Sequence, residues 1–306
     1  MNKLRCIEEL VEDFKNQRPI RGGSLIITIY GDAISPRGGT VWLGSLIKLL
    51  EPLGLNQRLV RTSIFRLTKD GWLNSTQVGR RSFYSLTDTG RRRFESAFRR
   101  IYAELYPEWD GKWSLIITTQ LDNELRKVVK KELEWLGFGN IAPGVMGHPM
   151  ADMMEVNGTL QDVCVQNDVI HMESELIGSQ ASAPLKELVH ECWNLEKLSE
   201  DYLGFLERFR PILRAVETAD ELDPEQCFQL RTLLIHHYRR VLLRDPQLPE
   251  KLLPADWAGT SARLLCRNIY RLIQQQAEQF LSDTQETADG TLPEPAPRFY
   301  KRFGGL

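Results

Sequence analysis

A chain of 306 residues with 39 lysines and arginines against 41 aspartates and glutamates, a net charge of −2, has room for two or three domains. Its apolar fraction of 42% excludes wholesale disorder, and no run approaches the ~18 apolar residues of a membrane span. Five scattered cysteines without a Cys-x-x-Cys pair argue against a disulfide framework or a zinc site, and with no signal-peptide core after Met1 they point to the cytoplasm. The near-neutral total hides an asymmetry. Residues 1–104 carry 18 basic and 10 acidic side chains, a net of +8, while the remainder carries 21 basic and 31 acidic, a net of −10. A basic front favours a polyanion.

In chain order, Ser24 can cap an apolar run (Leu25, Ile26, Ile29, Tyr30) that stops at Gly31. Ser35-Pro36-Arg37-Gly38-Gly39 reads as a loop. Thr40 can cap a second run (Val41, Leu43, Leu46, Ile47, Leu50) that stops at Gly54. A third helix is expected from about Asn56 to Gly71. At 100° per residue, Leu59, Val60, Ser63, Ile64 and Leu67 fall on one arc, and Arg58, Arg61, Thr62, Phe65, Arg66 and Lys69 face the other way. An ordinary surface helix mixes its charges; this one has no acid before Asp70. Phe65 is the apolar exception and is expected to pack against the wing or a neighbouring domain. Trp72-Leu73, a turn at Val78-Gly79-Arg80-Arg81-Ser82 and Phe83-Tyr84-Ser85-Leu86 then read as a hairpin tipped by Arg80 and Arg81.

Two helices, a basic third helix and a basic-tipped hairpin form the winged-helix plan, whose physics suits duplex DNA. A helix fits the major groove, where Arg pairs with guanine and Thr touches a thymine methyl. Arg58, Arg61 and Thr62 are the candidates for base contact; Arg66, Lys69 and Ser82 are candidates for phosphate contact, and Arg80 and Arg81 for the wing. The following helix, with Arg91, Arg92, Arg93, Arg99 and Arg100, reads as a solvated linker.

Farther on, Trp113–Thr119 reads as a buried strand and Asn123–Leu136 as an amphipathic helix, followed by strands near Gly139–Val145 and Val169–Glu173 around a helical stretch. This is a β-α-β-β-α-β alternation. Gly137-Phe138-Gly139 follows a helix, so it reads as a stop and not as a dinucleotide fingerprint. Residues 183–281 are helical in pattern. The tail from Thr284, with Pro293, Pro295 and Pro297, reads as extended and weakly ordered as far as Phe299-Tyr300. The resulting fold class is α+β multidomain, with expected domains at 1–105, 106–180 and 181–306.

These blocks carry a resemblance. Trp42-Leu43-Gly44-Ser45-Leu46, Arg58-Leu59-Val60-Arg61-Thr62, Asp70-Gly71-Trp72-Leu73, Gly79-Arg80-Arg81-Ser82-Phe83-Tyr84, Trp109-Asp110-Gly111-Lys112-Trp113, Glu191-Cys192-Trp193, Tyr238-Arg239-Arg240, Trp257-Ala258-Gly259 and Arg302-Phe303-Gly304-Gly305-Leu306 closely resemble the PaaX family. That family comprises repressors of phenylacetic acid degradation operons. The resemblance implies a GntR-like winged helix at the N-terminus, a ferredoxin-like middle domain and a helical C-terminal domain. It also implies a homodimer on palindromic operator DNA, released by phenylacetyl-coenzyme A, with no bound cofactor. The middle domain is similar to small CRISPR-associated endoribonucleases, which place an aspartate at the end of the first strand. This chain has Thr118-Thr119-Gln120 there and only then Asp122, so a scaffold or dimerisation role is the better expectation, with nuclease activity as the alternative. A second alternative is an adaptor that uses the winged helix to dock protein.

An acyl-coenzyme A needs cations for its phosphates and an apolar slot for its acyl group. The densest basic and aromatic cluster of the acidic half is His236, Tyr238, Arg239, Arg240, Arg244, Trp257 and Arg263, with Arg210 beside Phe209 and the Lys112–Trp113 pair as rivals. Adjacent His236 and His237 diverge on a helix, as do His190 and Cys192, so no metal site is expected. No Gly-x-Ser-x-Gly elbow, P-loop or nucleophile–base pair is present, and an enzyme is not expected.

Overall fold

The computed structural model describes residues 3–102, 108–177, 182–287 and 290–306, without the side chains of Arg93 and Ser96. Arg93, one of the expected linker-helix cations, therefore lies outside the described side chains. The chain forms two compact units. The first comprises residues 1–104, 203–240 and 260–306, the second 105–202 and 241–259. These units cut across the sequence blocks, because segments of the helical C-terminal block pack with the N-terminal residues. Among the described residues no helix is long and apolar enough to cross a membrane, and no group of three His, Cys, Asp or Glu side chains could hold a metal ion.

In the first unit, α1 (Arg5–Asn16) precedes α2 (Gly22–Ile29), which begins two residues before the Ser24 cap expected from sequence. Gly31 does not end it: the helix widens into a π turn over Tyr30–Ile34 and closes with a 3-10 turn at Ser35–Arg37. Long-range packing overrides the local stop signal here, since a Cβ on Gly31 would lie 1.8 Å from the Phe94 ring. Thr40 is no helix cap either. Thr40–Trp42 forms strand β1, and Trp42 precedes α3 (Leu43–Leu50).

Helix α4 (Gln57–Lys69) meets its sequence signals. The Asn56 carboxamide caps it by accepting the Leu59 N–H at 2.9 Å, and Gly71, at φ +73°, lies just beyond its end. Its Val60, Ser63, Ile64 and Leu67 are buried as α4 packs on α2 and α3. Burying each aliphatic side chain contributes about 1.5–3 kcal/mol. Strand β2 (Leu73–Val78) turns at Gly79-Arg80 into β3 (Arg81–Leu86), Gly79 taking φ +60°. The antiparallel sheet runs β1-β3-β2, and Asp88–Tyr102 forms α5.

Helix α9 (Leu195–Glu217) contributes its residues from Leu203 onward to this unit, with α10 (Pro224–Leu242) as far as Arg240 and most of α11 (Ala258–Thr284). The described residues of the tail make defined contacts, contrary to the weak order expected from its prolines. Its two short strands, Glu286–Thr287 and Gly290–Thr291, pair; Arg37 donates to the Pro293 carbonyl at 2.5 Å; and the Ala296 N–H donates to the Pro36 carbonyl at 2.8 Å. Phe299, Arg302 and Phe303 are buried.

A charged network sits inside this unit. Asp32 Oδ2 lies 2.8 Å from Arg231 Nε, while its Oδ1 accepts from Tyr102 (2.6 Å), Tyr270 (2.9 Å) and Arg302 (3.0 Å). Glu278 pairs with both Arg37 and Arg231. Burial pushes the Tyr102 and Tyr270 hydroxyls far above the ordinary tyrosine range, so both remain protonated donors to Asp32.

In the second unit, β4 (Lys112–Ile117), α6 (Asn123–Trp135), β5 (Gly139–Ala142), β6 (Val145–His148), α7 (Met153–Asp162) and β7 (Ile170–Glu175) build the expected ferredoxin-like layer. The sheet is antiparallel in the order β5-β6-β4-β7. Ile116, Val129, Leu133, Met146, Val156 and Leu160 form its core. Gly137, at φ +93°, ends α6, as the stop reading required. Helix α8 (Ala183–Cys192) follows, and Trp193 donates its indole N–H to the Gly137 carbonyl at 2.8 Å.

Candidate nucleic-acid interface

The side chains of Arg58, Arg61, Thr62, Arg66, Lys69 and Arg80 are exposed and Ser82 is half-buried, so the set read from sequence lies on one helix and the hairpin beside it. Arg66 and Lys69 occupy the last turn of α4, where the helix dipole favours cations. Arg58 is different. It stands in the first turn, which contains no acid, where the dipole opposes a positive charge. Helix stability does not account for a cation in that place. Arg61 is steered by its own helix: with the amide turned to satisfy both groups, Gln57 Oε1 accepts from Arg61 Nε (3.1 Å) and Nη2 (3.0 Å). Thr62 donates its hydroxyl proton to the Arg58 carbonyl at 2.9 Å, which leaves the oxygen as an acceptor.

One expectation fails at this surface. Phe65 packs against nothing substantial, being 69% exposed in the middle of the basic face. Arg81 is already engaged: it pairs with Glu286 at 2.8 Å, and its guanidinium lies 4.4 Å from the centre of the Trp42 ring. Sequence proximity could not reveal Glu286, which lies 205 positions away.

The residues of the ligand cluster read from the acidic half divide between the two units. His236, Tyr238, Arg239, Arg240 and Arg263 belong to the first unit, Arg244 and Trp257 to the second. His236, Tyr238, Trp257 and Arg263 are at most 7% exposed. Thr28 donates to the Ser24 carbonyl, so its oxygen accepts from Arg239 Nη1 (2.9 Å) and from His236 Nδ1 (3.1 Å). Burial, with His237, Arg239 and Arg240 nearby, lowers the His236 pKa to about 3 and keeps the ring neutral. Tyr238 packs on Phe205, Trp257 on Tyr202, and Arg244 pairs with Asp201 at 3.1 Å. Of the rivals, Arg210 is exposed while Phe209 is fully buried against Phe205 and His237. Lys112 pairs with Glu173 at 2.6 Å and Trp113 is buried. On α10, His236 and Tyr238 thus pack inside the unit, while Arg240 is exposed.

Three family models match the chain: PaaX-like protein over residues 21–90, the PaaX protein central Cas2-like domain over 106–186, and the PaaX-like protein C-terminal domain over 193–283. The chain is 46% identical over 307 residues to the transcriptional repressor PaaX of Escherichia coli (strain K12), an alignment covering 100% of this chain and 96% of that one. The chain belongs to the PaaX family. A solved structure of an uncharacterized protein from Mycobacterium tuberculosis is 24% identical, covers 77% of this chain and 90% of that one, and superposes with a TM-score of 0.47.

The first PaaX model spans α2 through the hairpin, the segment that carries the basic face. The central model spans the four-stranded sheet. There Asp122, the acid nearest the end of β4, is the N-cap of α6: its Oδ1 accepts the N–H groups of Glu124 (3.0 Å) and Leu125 (2.9 Å). Beside β4 and β7, Trp109, Trp113, Met150, Met153 and His171 line an open pocket of about 360 Å³. Glu108, Asp110 and Glu173 outnumber Lys112 and His171 in that lining, so its field disfavours a polyphosphate.

Proposed function

We propose that the chain is a transcriptional repressor of phenylacetate catabolism genes that binds palindromic operator DNA as a homodimer. In this reading α2, α3, α4 and the β2–β3 hairpin form a winged helix-turn-helix. Helix α4 enters the major groove, with Arg58, Arg61 and Thr62 toward the bases and Arg66, Lys69 and Ser82 toward phosphates, while Arg80 extends the contact from the wing. The observation that carries it is the face of α4: four exposed cations, one of them placed against the helix dipole, with no acid among them. The family relationship to a protein named as a transcriptional repressor supports the same reading.

The effector is phenylacetyl-coenzyme A, which acts by population shift. It binds more tightly to a conformation whose two recognition helices no longer match the half-site spacing, and it displaces the equilibrium by that difference in affinity alone. The buried members of the α10 cluster do not serve it; Arg240 and Arg244 are the exposed cations of that set. A gel-shift assay on DNA upstream of the chain's own gene tests the reading. A retarded complex that dissolves with phenylacetyl-coenzyme A and persists with free phenylacetate supports it. A complex indifferent to the thioester overturns the effector, and absence of any complex overturns DNA binding.

A further inference from the structure

Phe65 is the largest apolar side chain on the basic face of α4, and 69% of it is exposed. At 100° per residue it lies at the middle of the outward arc, between Arg61 on one side and Arg58, Lys69 and Thr62 on the other, opposite the buried Val60, Ser63, Ile64 and Leu67. A ring in this place adds nothing to the core of the unit, and leaving it in water forgoes the free energy its burial would release. It therefore calls for an occupant that is apolar at one point and anionic around it.

Duplex DNA has that pattern. The thymine 5-methyl is the apolar group of the major-groove edge, and phosphates flank the groove on both sides. Phe65 and Thr62 are one turn apart, about 4.5 Å along the helix axis, a little more than the ~3.4 Å rise of one base pair, so the two can address neighbouring steps. A second copy of this chain fits less well. A symmetric contact through this face would set Arg58, Arg61, Arg66 and Lys69 against their own equivalents, and like charges across an interface repel.

We infer that Phe65 packs against the 5-methyl group of a thymine in the operator and is a specificity-determining residue of α4. This rests on the DNA-binding reading above and adds an apolar element to a contact set otherwise made of charge and hydrogen bonds.

The test uses the full chain and the tightest duplex selected from a random-sequence pool, with each thymine replaced in turn by deoxyuridine. Wild-type protein loses about fourfold in affinity at one thymine per half-site, the value of one buried methyl. Phe65→Ala binds the unmodified duplex more weakly, melts like the wild type because the ring is exposed, and is indifferent to the substitution at that thymine. Phe65→Leu retains part of the sensitivity. Equal deoxyuridine profiles for wild type and Phe65→Ala overturn the inference while leaving DNA binding intact. A Phe65→Ala protein with unchanged DNA affinity and an altered oligomeric state makes Phe65 a protein contact and overturns it as well. If the pool yields no duplex bound by the wild type, the DNA-binding reading falls and the inference with it.

Discussion

Replacing Asp32 by Asn changes one atom and one charge at the centre of the first unit. In the wild type, three arginines (Arg37, Arg231, Arg302), each at most 2% exposed, face two carboxylates, Asp32 and Glu278. The site thus carries one excess positive charge, and Asp32→Asn raises it to two without altering volume. The new amide also presents a donor where Oδ1 accepts from Tyr102, Tyr270 and Arg302, or where Oδ2 meets Arg231. Removing one partner of a buried ion pair costs about 3–5 kcal/mol. For a unit of ~150–250 residues, that corresponds to a fall in Tm of about 6–20 °C. Thermal unfolding by circular dichroism gives the shift, and hydrogen exchange in α2 and α10 places it in the first unit. As a control, Glu95→Gln breaks the exposed Arg298–Glu95 pair (3.4 Å) and costs at most about 1 kcal/mol. An Asp32→Asn protein that melts with the wild type would refute the account of the buried network.

Three further outcomes are expected. His236 has a folded-state pKa of about 3 against an ordinary ~6.5, so the unfolded chain takes up a proton first as pH falls and stability declines between those values. At pH 5 the loss from this residue is about 2 kcal/mol, and His236→Asn, which keeps a donor for Thr28, should shrink its deficit relative to the wild type by that amount between pH 7 and pH 5; parallel urea-unfolding curves at both pH values would contradict this. Glu286→Gln releases Arg81 from its surface pair and should tighten DNA binding about two- to fivefold by fluorescence anisotropy, whereas unchanged affinity would remove Arg81 from the DNA surface. Gly31→Ala drives a Cβ into Phe94 and should cost about 1–3 kcal/mol, with partial recovery in the Gly31→Ala, Phe94→Leu double variant; a neutral single variant would show that the ring moves freely.

What was legible in the sequence was local. The Asn56 cap, the glycine beyond Lys69, the Gly79 turn and the two faces of α4 are each set by neighbours within a few residues, and the structure keeps them. The ferredoxin-like alternation was readable for the same reason: short, strongly patterned strands separated by helices. Elements governed by distant contacts were not. Thr40 lost its capping role because β1 pairs with β3, from Thr40 opposite Ser85 to Trp42 opposite Phe83. The helix ran through Gly31 because Phe94 packs on that turn and Tyr102, Tyr270 and Arg302 hold its Asp32 from outside. The described part of the proline-rich tail is held by Arg37, Pro36 and the burial of Phe299, Arg302 and Phe303, none of which composition reveals. Sequence density alone did not separate the buried His236, Tyr238, Trp257 and Arg263 from the exposed Arg240 and Arg244, because arginine, tyrosine and histidine crowded on a helix form a well-packed interior as readily as a pocket. Phe65 was visible as an exception, but its exposure required the structure.

The most direct test of the central claim is the affinity of Arg61→Ala for the selected operator duplex and for a scrambled duplex at the same salt concentration. If α4 reads the major groove, the variant loses about 1–3 kcal/mol on the operator and much less on the scrambled duplex. Equal losses on both would make Arg61 a phosphate contact. Unchanged affinity for both would contradict the placement of α4 in the groove.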